Sequence, residues 1–266
     1  MRPHLQPLFP CLAAFLRVWQ SVDFVNIQNG LQTQAFCGKL KERFPAGFDG
    51  VWVGSIAGGK QIIINGGDRM CGRYYIAEDD LSQELERIIA EINRKKTPEG
   101  LKTAGEIRPC DVAPVIANSR RQDVQPFAMR WGYSYPDSRP VINARSETAA
   151  EKPLFRDGMQ RRRCLIPASH YFEWEKRDGK RAKYAIRPAH ADTLYLAGIY
   201  HFENHDGVTV PSFVILTREA APDIAFIHNR MPVILPEGRA ADWLNPDNDA
   251  EKIIQSALQD MTYRPV

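Results

Sequence analysis

The sequence predicts an α+β domain with a predominantly β core over residues 70–266, and three observations carry that prediction. Short β-prone runs bounded by turn residues follow one another between Val112 and Thr217. Apolar residues at helical spacing occur only towards the two ends of this region. No heptad pattern, internal repeat or membrane-length apolar stretch competes with this reading. At 266 residues with 44% hydrophobic and 25% charged side chains, the composition excludes collagen-like, coiled-coil and wholly disordered classes.

Residues 1–69 stand apart. Their apolar pieces (Phe9 to Trp19, Val51 to Ile56, Ile62 to Ile64) are short and broken by Gly, Asn and Gln, so this segment reads as poorly organised. The run from Leu8 to Leu16 imitates a signal peptide, but Pro7 flanks it, Pro10 interrupts it and no convincing small-residue cleavage site follows. The stretch Asn65 to Met70 can be encoded with GGA-GGT shortly before an ATG, a ribosome-binding sequence read as protein. We therefore expect residues 1–69 to be a non-native upstream extension and the working chain to begin at Met70. A genuine prodomain is the alternative.

From Met70 the pattern changes. Cys71 to Ile76 reads as a strand, and Asp79 or Asp80 can cap a helix in which Leu81, Leu85, Ile88, Ile89 and Ile92 share one face. After a loop with Pro98, Gly100 and Gly105, strands are expected at Val112 to Ile116, Phe127 to Tyr133, Arg163 to Ile166, Tyr171 to Trp174, Tyr184 to Ile186, Leu194 to Tyr200 and Pro211 to Thr217. Helical spacing returns near Ala220 to Ile227, Gly238 to Leu244 and Ala250 to Asp260.

The net charge of +3 is uneven: residues 1–69 hold 7 Lys/Arg against 4 Asp/Glu, leaving 28 of each in the remainder. A claim of nucleic-acid binding must then rest on local clusters rather than the total. Five cysteines, with no C-x-x-C pair and no His at finger spacing, suggest neither a disulfide framework nor a metal site. Reduced intracellular thiols, a cytoplasmic location and no metal or cofactor are the expectation.

If translation starts at Met70, removal of the initiator makes Cys71 an N-terminal 1,2-aminothiol. Its α-amine has a reference pKa of about 7.7 to 8.0, so part of it is free base near neutrality beside a strong sulfur nucleophile. Such a group condenses with an aldehyde to an imine, which the thiol closes to a thiazolidine. An internal cysteine lacks the amine. Elsewhere, polar residues interrupt apolar strand patterns at Val141 to Thr148, His170 to Trp174 and Phe226 to Val233.

Four ordered motifs, Met70-Cys71-Gly72-Arg73-Tyr74, Asn143-Ala144-Arg145-Ser146-Glu147, Cys164-Leu165-Ile166-Pro167 leading to Tyr171-Phe172-Glu173-Trp174, and His228-Asn229-Arg230-Met231-Pro232, resemble the SOS response-associated peptidase (SRAP) family over residues 70–266. The resemblance implies a single SRAP-type domain with a barrel-like β core and peripheral helices. It also implies a DNA-damage protein whose N-terminal cysteine captures the aldehyde of an abasic site in single-stranded DNA and shields the lesion. Its catalytic residues carry over onto Cys71, Asn143, Glu173 and His228. An amide at 143 suits holding the amine or nascent ring, a carboxylate in a Phe-Glu-Trp frame suits proton shuttling, and a histidine suits donation to the opening sugar. Taken singly, Asn143 also fits a turn cap, Glu173 a surface ion pair and His228 a satisfied core position.

Arg73, Arg145 and Arg230 are the expected phosphate ligands, and Trp131 and Trp174 the candidate base-stacking rings. Arg161-Arg162-Arg163 and Arg120-Arg121 are candidates to extend a basic track, with Glu78-Asp79-Asp80 a candidate acidic counterweight. The implied class is a peptidase/hydrolase or lyase acting on abasic single-stranded DNA. The expected protein is monomeric, has no membrane partner and is associated with the bacterial nucleoid during repair. Two other readings stay open. One is a cysteine peptidase with Cys71 as nucleophile and His228 as base, releasing residues 1–70 from itself. The other is a noncovalent single-strand binder.

Overall fold

The computed structural model describes residues 51–55, 61–65, 72–77, 83–94, 100–134, 139–177, 179–191, 193–205 and 207–266. By its internal contacts the chain divides into Met1–Asp68 and Arg69–Val266. In the first unit β1 (Val51–Ser55) and β2 (Gln61–Asn65) form an antiparallel hairpin, registered from Val51 opposite Asn65 to Ser55 opposite Gln61. This hairpin lies within the segment that reads from sequence as poorly organised.

The second unit begins with β3 (Arg73–Ile76), followed by α1 (Gln83–Arg94), whose Ile88 and Ile92 fall one turn apart and are buried. Next come β4 (Gly105–Ile107), β5 (Val112–Asn118), β6 (Val124–Trp131) and the short β7 (Asn143–Arg145). Two helices follow, α2 (Ser146–Ala149) and α3 (Pro153–Arg161). Pro153 suits the first turn of α3, where its missing N–H has no intrahelical partner to lose, and Phe155 and Met159 bury the same face.

The strands β8 (Arg163–Ala168), β9 (His170–Arg177), β10 (Lys180–Pro188), β11 (Leu194–His205) and β12 (Val208–Glu219) are the bulk of the sheet structure. β9 and β10 pair antiparallel, with Lys180 opposite Arg177 and Gly179 just before β10. Gly179 has φ +73, a left-handed conformation that glycine adopts without strain. The chain closes with β13 (Arg230–Pro232), β14 (Ile234–Leu235), α4 (Glu237–Leu244), α5 (Ala250–Gln255) and β15 (Met261–Pro265).

Five of these strands form a ring: β12 pairs β6, β6 pairs β5, β5 pairs β8, β8 pairs β11, and β11 pairs β12 again. The closed barrel leaves these strands without a free lateral edge. Gly198 of β11 pairs with Cys164 of β8 on one side and Ile215 of β12 on the other. A Cβ there would lie 2.5 Å from Ile166 Cδ1 and 2.8 Å from the Val214 carbonyl oxygen, so no larger side chain fits. A second sheet, in the order β15-β10-β9-β3-β4, packs its inner face on the barrel. Tyr74, Tyr171 and Ile186 from that sheet share one core cluster with Trp131, Phe213 and Ile215 of the barrel.

The α+β class with a predominantly β, barrel-like core and peripheral helices is therefore the observed one. Two local expectations are corrected. The stretch Ala220 to Ile227 holds a single 3-10 turn, Pro222–Ile224, because the amide of Ala220 bonds the Asn229 carbonyl and turns the segment back towards β12. The helix expected over Ala250 to Asp260 stops at Gln255. The Ser256 hydroxyl takes the Ile253 carbonyl, and the Leu258 amide bonds Ile234 of β14, drawing the chain into the sheet.

Candidate active site

The far end of β12 is where the predicted polar residues gather. Beyond the Gly198–Ile215 pair, β11 and β12 part, and residues 230–235 enter the gap with β13 on β12 and β14 on β11. The amide of Val233 donates to Leu216 and its carbonyl accepts from Ala197, so the insertion is stitched to both strands. Residues of β7 run parallel to β12, with Asn143 level with Ile215 and Arg145 with Thr217. The Asn143 and His228 motifs thus flank the same strand end, which neither motif specifies alone.

Thr217, fully buried, is the junction between them. Its hydroxyl donates to the Ala144 carbonyl at 3.3 Å, and the Arg230 guanidinium donates to the Thr217 carbonyl at 2.8 Å. The same guanidinium grips Glu147 with two bonds of 2.6 and 2.8 Å, a planar fork matched to a carboxylate. Those hydrogen bonds hold the Glu147 carboxyl below the usual range, more than burial raises it. Arg230 keeps only 16% of its side-chain surface, so it serves as a latch between the two motifs. Arg145, by contrast, is exposed at the end of β7 and remains available to an anion.

The amide of Arg230 donates to His228 Nδ1 at 3.1 Å. A nitrogen that accepts a hydrogen bond carries no proton, so the neutral ring carries its N–H on Nε2. His228 is 8% exposed and Glu173 is 2% exposed. Glu173 lies on the inner face of the second sheet, paired with Tyr184 across β10 and two residues along β9 from Tyr171. Tyr171 packs in the same core cluster as Ile227 and Met231, which bracket the His228 motif, and the Tyr184 ring meets Phe226 edge-on at 6.0 Å. Glu173 consequently faces the seam between sheet and barrel, on the side occupied by the His228 loop.

Cys71 lies outside the described residues, as do Glu78, Asp79 and Asp80. Gly72, the next residue, leads into β3 one position before Arg73, which pairs with Phe172. Among the described residues, nothing comes within 4 Å of a Cβ built on Gly72 at the start of β3. Of the described cysteines, Cys164 is fully buried and burial pushes its thiol up, which excludes it as a nucleophile; Cys110 is exposed. Among the described residues there is no group of three or more His, Cys, Asp or Glu side chains able to hold a metal ion.

Two further expectations change. Trp131 is fully buried, stacked at 6.2 Å on Phe213 and tilted against Tyr74 at 5.2 Å, so it offers no face to a base. Its Nε1–H donates to the Ile142 carbonyl at 3.1 Å, which fixes the backbone immediately before Asn143. Arg163, in the triple-arginine run, is 7% exposed and donates to the carbonyls of Met159, Asn245 and Asn248 while lying over the Trp243 ring. It caps chain ends inside the fold and is not part of a basic track. Arg120 and Arg121 stand exposed in the turn after β5.

Trp174 keeps partial exposure, with Arg73 at 5.5 Å, Lys183 at 5.8 Å and Arg181 at 5.9 Å from its ring centre. Sequence reasoning missed Glu106, which holds Arg73, Arg108 and Lys183 together through bonds of 2.5, 3.0 and 2.7 Å. Burial raises this carboxyl, but the three cationic donors outweigh it and bring its pKa to about 2. No sequence motif marks it, because only Arg108 is its neighbour in sequence and the other two partners come from β3 and β10.

A closed five-strand barrel with a second sheet against it, and a carboxylate and an imidazole buried where the two meet, defines a small β-barrel protein. A family model described as SOS response associated peptidase (SRAP) matches residues 70–266, and the chain belongs to that family. It is 33% identical over 199 residues to the abasic site processing protein YoaM of Bacillus subtilis, a match covering 71% of this chain and 85% of that one. It is 28% identical to YedK of Escherichia coli, which carries the same descriptive name, over 67% of this chain and 81% of the relative. Among solved structures, a protein from Bacteroides thetaiotaomicron superposes with a TM-score of 0.59 at 23% identity, covering 74% of this chain and 92% of its own, a likeness of fold.

Proposed function

We propose that the protein acts on abasic sites in single-stranded DNA, forming a thiazolidine crosslink through Cys71 as the N-terminal residue of a chain beginning at Met70. The observation that carries this reading is the register of β3 on β9, which, continued one step beyond the Arg73–Phe172 pair, sets Gly72, the residue after Cys71, level with buried Glu173, while the Asn143 and His228 motifs flank the end of β12. The names of the curated relatives, abasic site processing proteins from bacteria and vertebrates, support the choice of substrate.

In this mechanism the His228 Nε2–H donates to the deoxyribose ring oxygen as the sugar opens to its aldehyde. The Cys71 amine adds to that aldehyde, and Glu173 moves the protons that let water leave as the imine forms. Asn143 holds the amine or ring by its amide. The Cys71 thiol then adds across the C=N bond, its proton passing to the nitrogen, so that the net change is loss of one water. Arg145, Arg73 and Trp174 line the approach of the DNA strand, the first two to phosphates and the third to a base or sugar.

The test compares a chain beginning at Met70 with the full 266-residue form. Every described residue of both core clusters lies between Tyr74 and Met261, so the shorter chain retains these cores. Each form is incubated with abasic single-stranded DNA and assayed for a heat-stable adduct. The shorter form is expected to give the adduct and the intact longer form none; equal yields from both, with the extension verified intact, refute the aminothiol mechanism. Loss of residues 1–70 from the longer form in a Cys71-dependent reaction would instead support the self-cleaving peptidase reading.

A further inference from the structure

The outer face of the second sheet has a composition that its packing role does not require. Along the central strand β9, His170, Phe172 and Trp174 alternate outward, and Tyr75 of β3 stacks on His170 at 4.8 Å with ring planes 14° apart. Cations stand at successive levels beside this aromatic column. Lys183 pairs with Trp174, and Arg181 pairs with Lys176. Where β10 has Ala185 outward, the neighbouring β15 supplies Arg264 at the same level, and Arg187 follows. Same-face positions on a strand are about 7 Å apart, so these side chains form a ladder of positive charge across several levels.

The aromatic rings order the cations. Lys183 Nζ lies 3.6 Å from the Phe172 ring centre, and Phe172 is 4% exposed beneath it. Among the described residues, Glu106 is the carboxylate on the strands of this face, binding Arg73 and Lys183 away from Arg187 and Arg264, while Asp260, just before β15, lies 3.6 Å from His190. Glu173 and Glu175 alternate to the opposite face. The unbalanced cations therefore concentrate towards β10 and β15. His170 feels them: burial first, then the fields of Arg264, Lys183 and Arg187, lower its pKa to about 4.

We propose that this face, from Trp174 across β10 to Arg187 and Arg264, is a second DNA surface that carries the single strand leading away from the lesion. The inference rests on DNA being the ligand of the seam, and it assigns contacts to residues outside that seam. Charge complementarity selects a flexible polyanion: a ladder of guanidinium and ammonium groups beside partly exposed rings suits phosphates with occasional base stacking. Trp174 belongs to both surfaces and is their point of continuity.

The experiment uses the full chain and a fluorescently labelled oligothymidylate of about 20 nucleotides without a lesion, a length that spans more than one single-strand binding site. Affinity is measured by anisotropy across a salt series for the native protein and for an Arg187→Gln/Arg264→Gln variant, two exposed positions on the sheet face opposite Glu173. The variant is expected to bind about tenfold more weakly, with a salt slope shallower by about 1.4, since each single-strand phosphate contact contributes about 0.7. Unchanged affinity and slope overturn the proposal. A second readout follows the His170 ring by NMR: saturating oligonucleotide should offset the neighbouring cations and raise its titration midpoint from about 4. A midpoint that oligonucleotide leaves unmoved also overturns it. Neither measurement needs crosslinking, so a protein that captures abasic DNA while the variant binds normally refutes this surface alone, and a failed capture refutes only the chemistry at Cys71.

Discussion

Replacing Glu106 by Gln removes one charge from a cluster of three cations and should move stability and DNA affinity in opposite directions. The carboxylate ties β4 to Arg73 of β3 and Lys183 of β10, and its pKa falls from 4.5 to about 2. At about 1.4 kcal/mol per pKa unit, that depression corresponds to roughly 3 kcal/mol favouring the folded ionised state. The side chain keeps 18% of its surface and two of its cations are well hydrated, so screening reduces the expected loss to about 1–2 kcal/mol. The sign follows from linkage: a group with a depressed folded pKa stabilises fully above its unfolded value and loses that contribution as pH falls from about 4.5 towards 2. Urea denaturation from pH 7 to pH 3 should show this acid-dependent loss in the native protein and a smaller one in E106Q. The same substitution frees Arg73 and Lys183 for phosphate, so E106Q should bind single-stranded DNA more tightly, with a salt slope steeper by about 0.7 for each phosphate gained. A variant as stable as the native protein at pH 7, or one that binds DNA more weakly while folded, would refute this account of the cluster.

The latch and the barrel make further predictions. Arg230→Lys keeps the charge but loses the fork on Glu147 and Thr217; a stability loss of about 1–3 kcal/mol and at least a tenfold slower crosslinking rate are expected, measured by thermal melting and gel kinetics. Trp131→Phe should cost about 1 kcal/mol through the lost bond to Ile142 and leave the salt slope of DNA binding unchanged. Trp174→Ala should weaken single-strand binding about 5- to 150-fold, the equivalent of about 1–3 kcal/mol for one stacked base, with a smaller effect on melting. Gly198→Ala should destabilise the barrel by about 1–3 kcal/mol, read by denaturant titration, because its methyl would meet Ile166 and the Val214 carbonyl.

Much of the fold was legible because its strands carry clear β-prone runs bounded by turn residues. The long strands β11 and β12 appeared as Leu194 to Tyr200 and Pro211 to Thr217, extending further at their hairpin end, where Phe202 and Val208 are exposed and no core periodicity marks them. The motifs around Asn143, Glu173 and His228 were visible as polar residues inside apolar frames. Their convergence was not, since it depends on β7 and β13 flanking β12, and on Arg230 reaching Glu147 across 83 residues of sequence. Trp131 was misread for the same reason: which face of a strand a ring occupies is decided by register, and its neighbours Tyr74 and Phe213 come from distant strands. The basic outer face was hidden because one row of it, Arg73, Phe172, Ala185 and Arg264, is assembled from four strands. No window of sequence contains it.

The central claim is that the amine and thiol of Cys71 react together. Intact-mass analysis of the product formed by a chain beginning at Met70 with an abasic oligonucleotide tests it most directly. The account predicts a mass equal to the chain without Met70 plus the oligonucleotide less one water, stable without borohydride reduction and absent for Cys71→Ala. An equally stable adduct from Cys71→Ala, or one that still carries Met70, would contradict it.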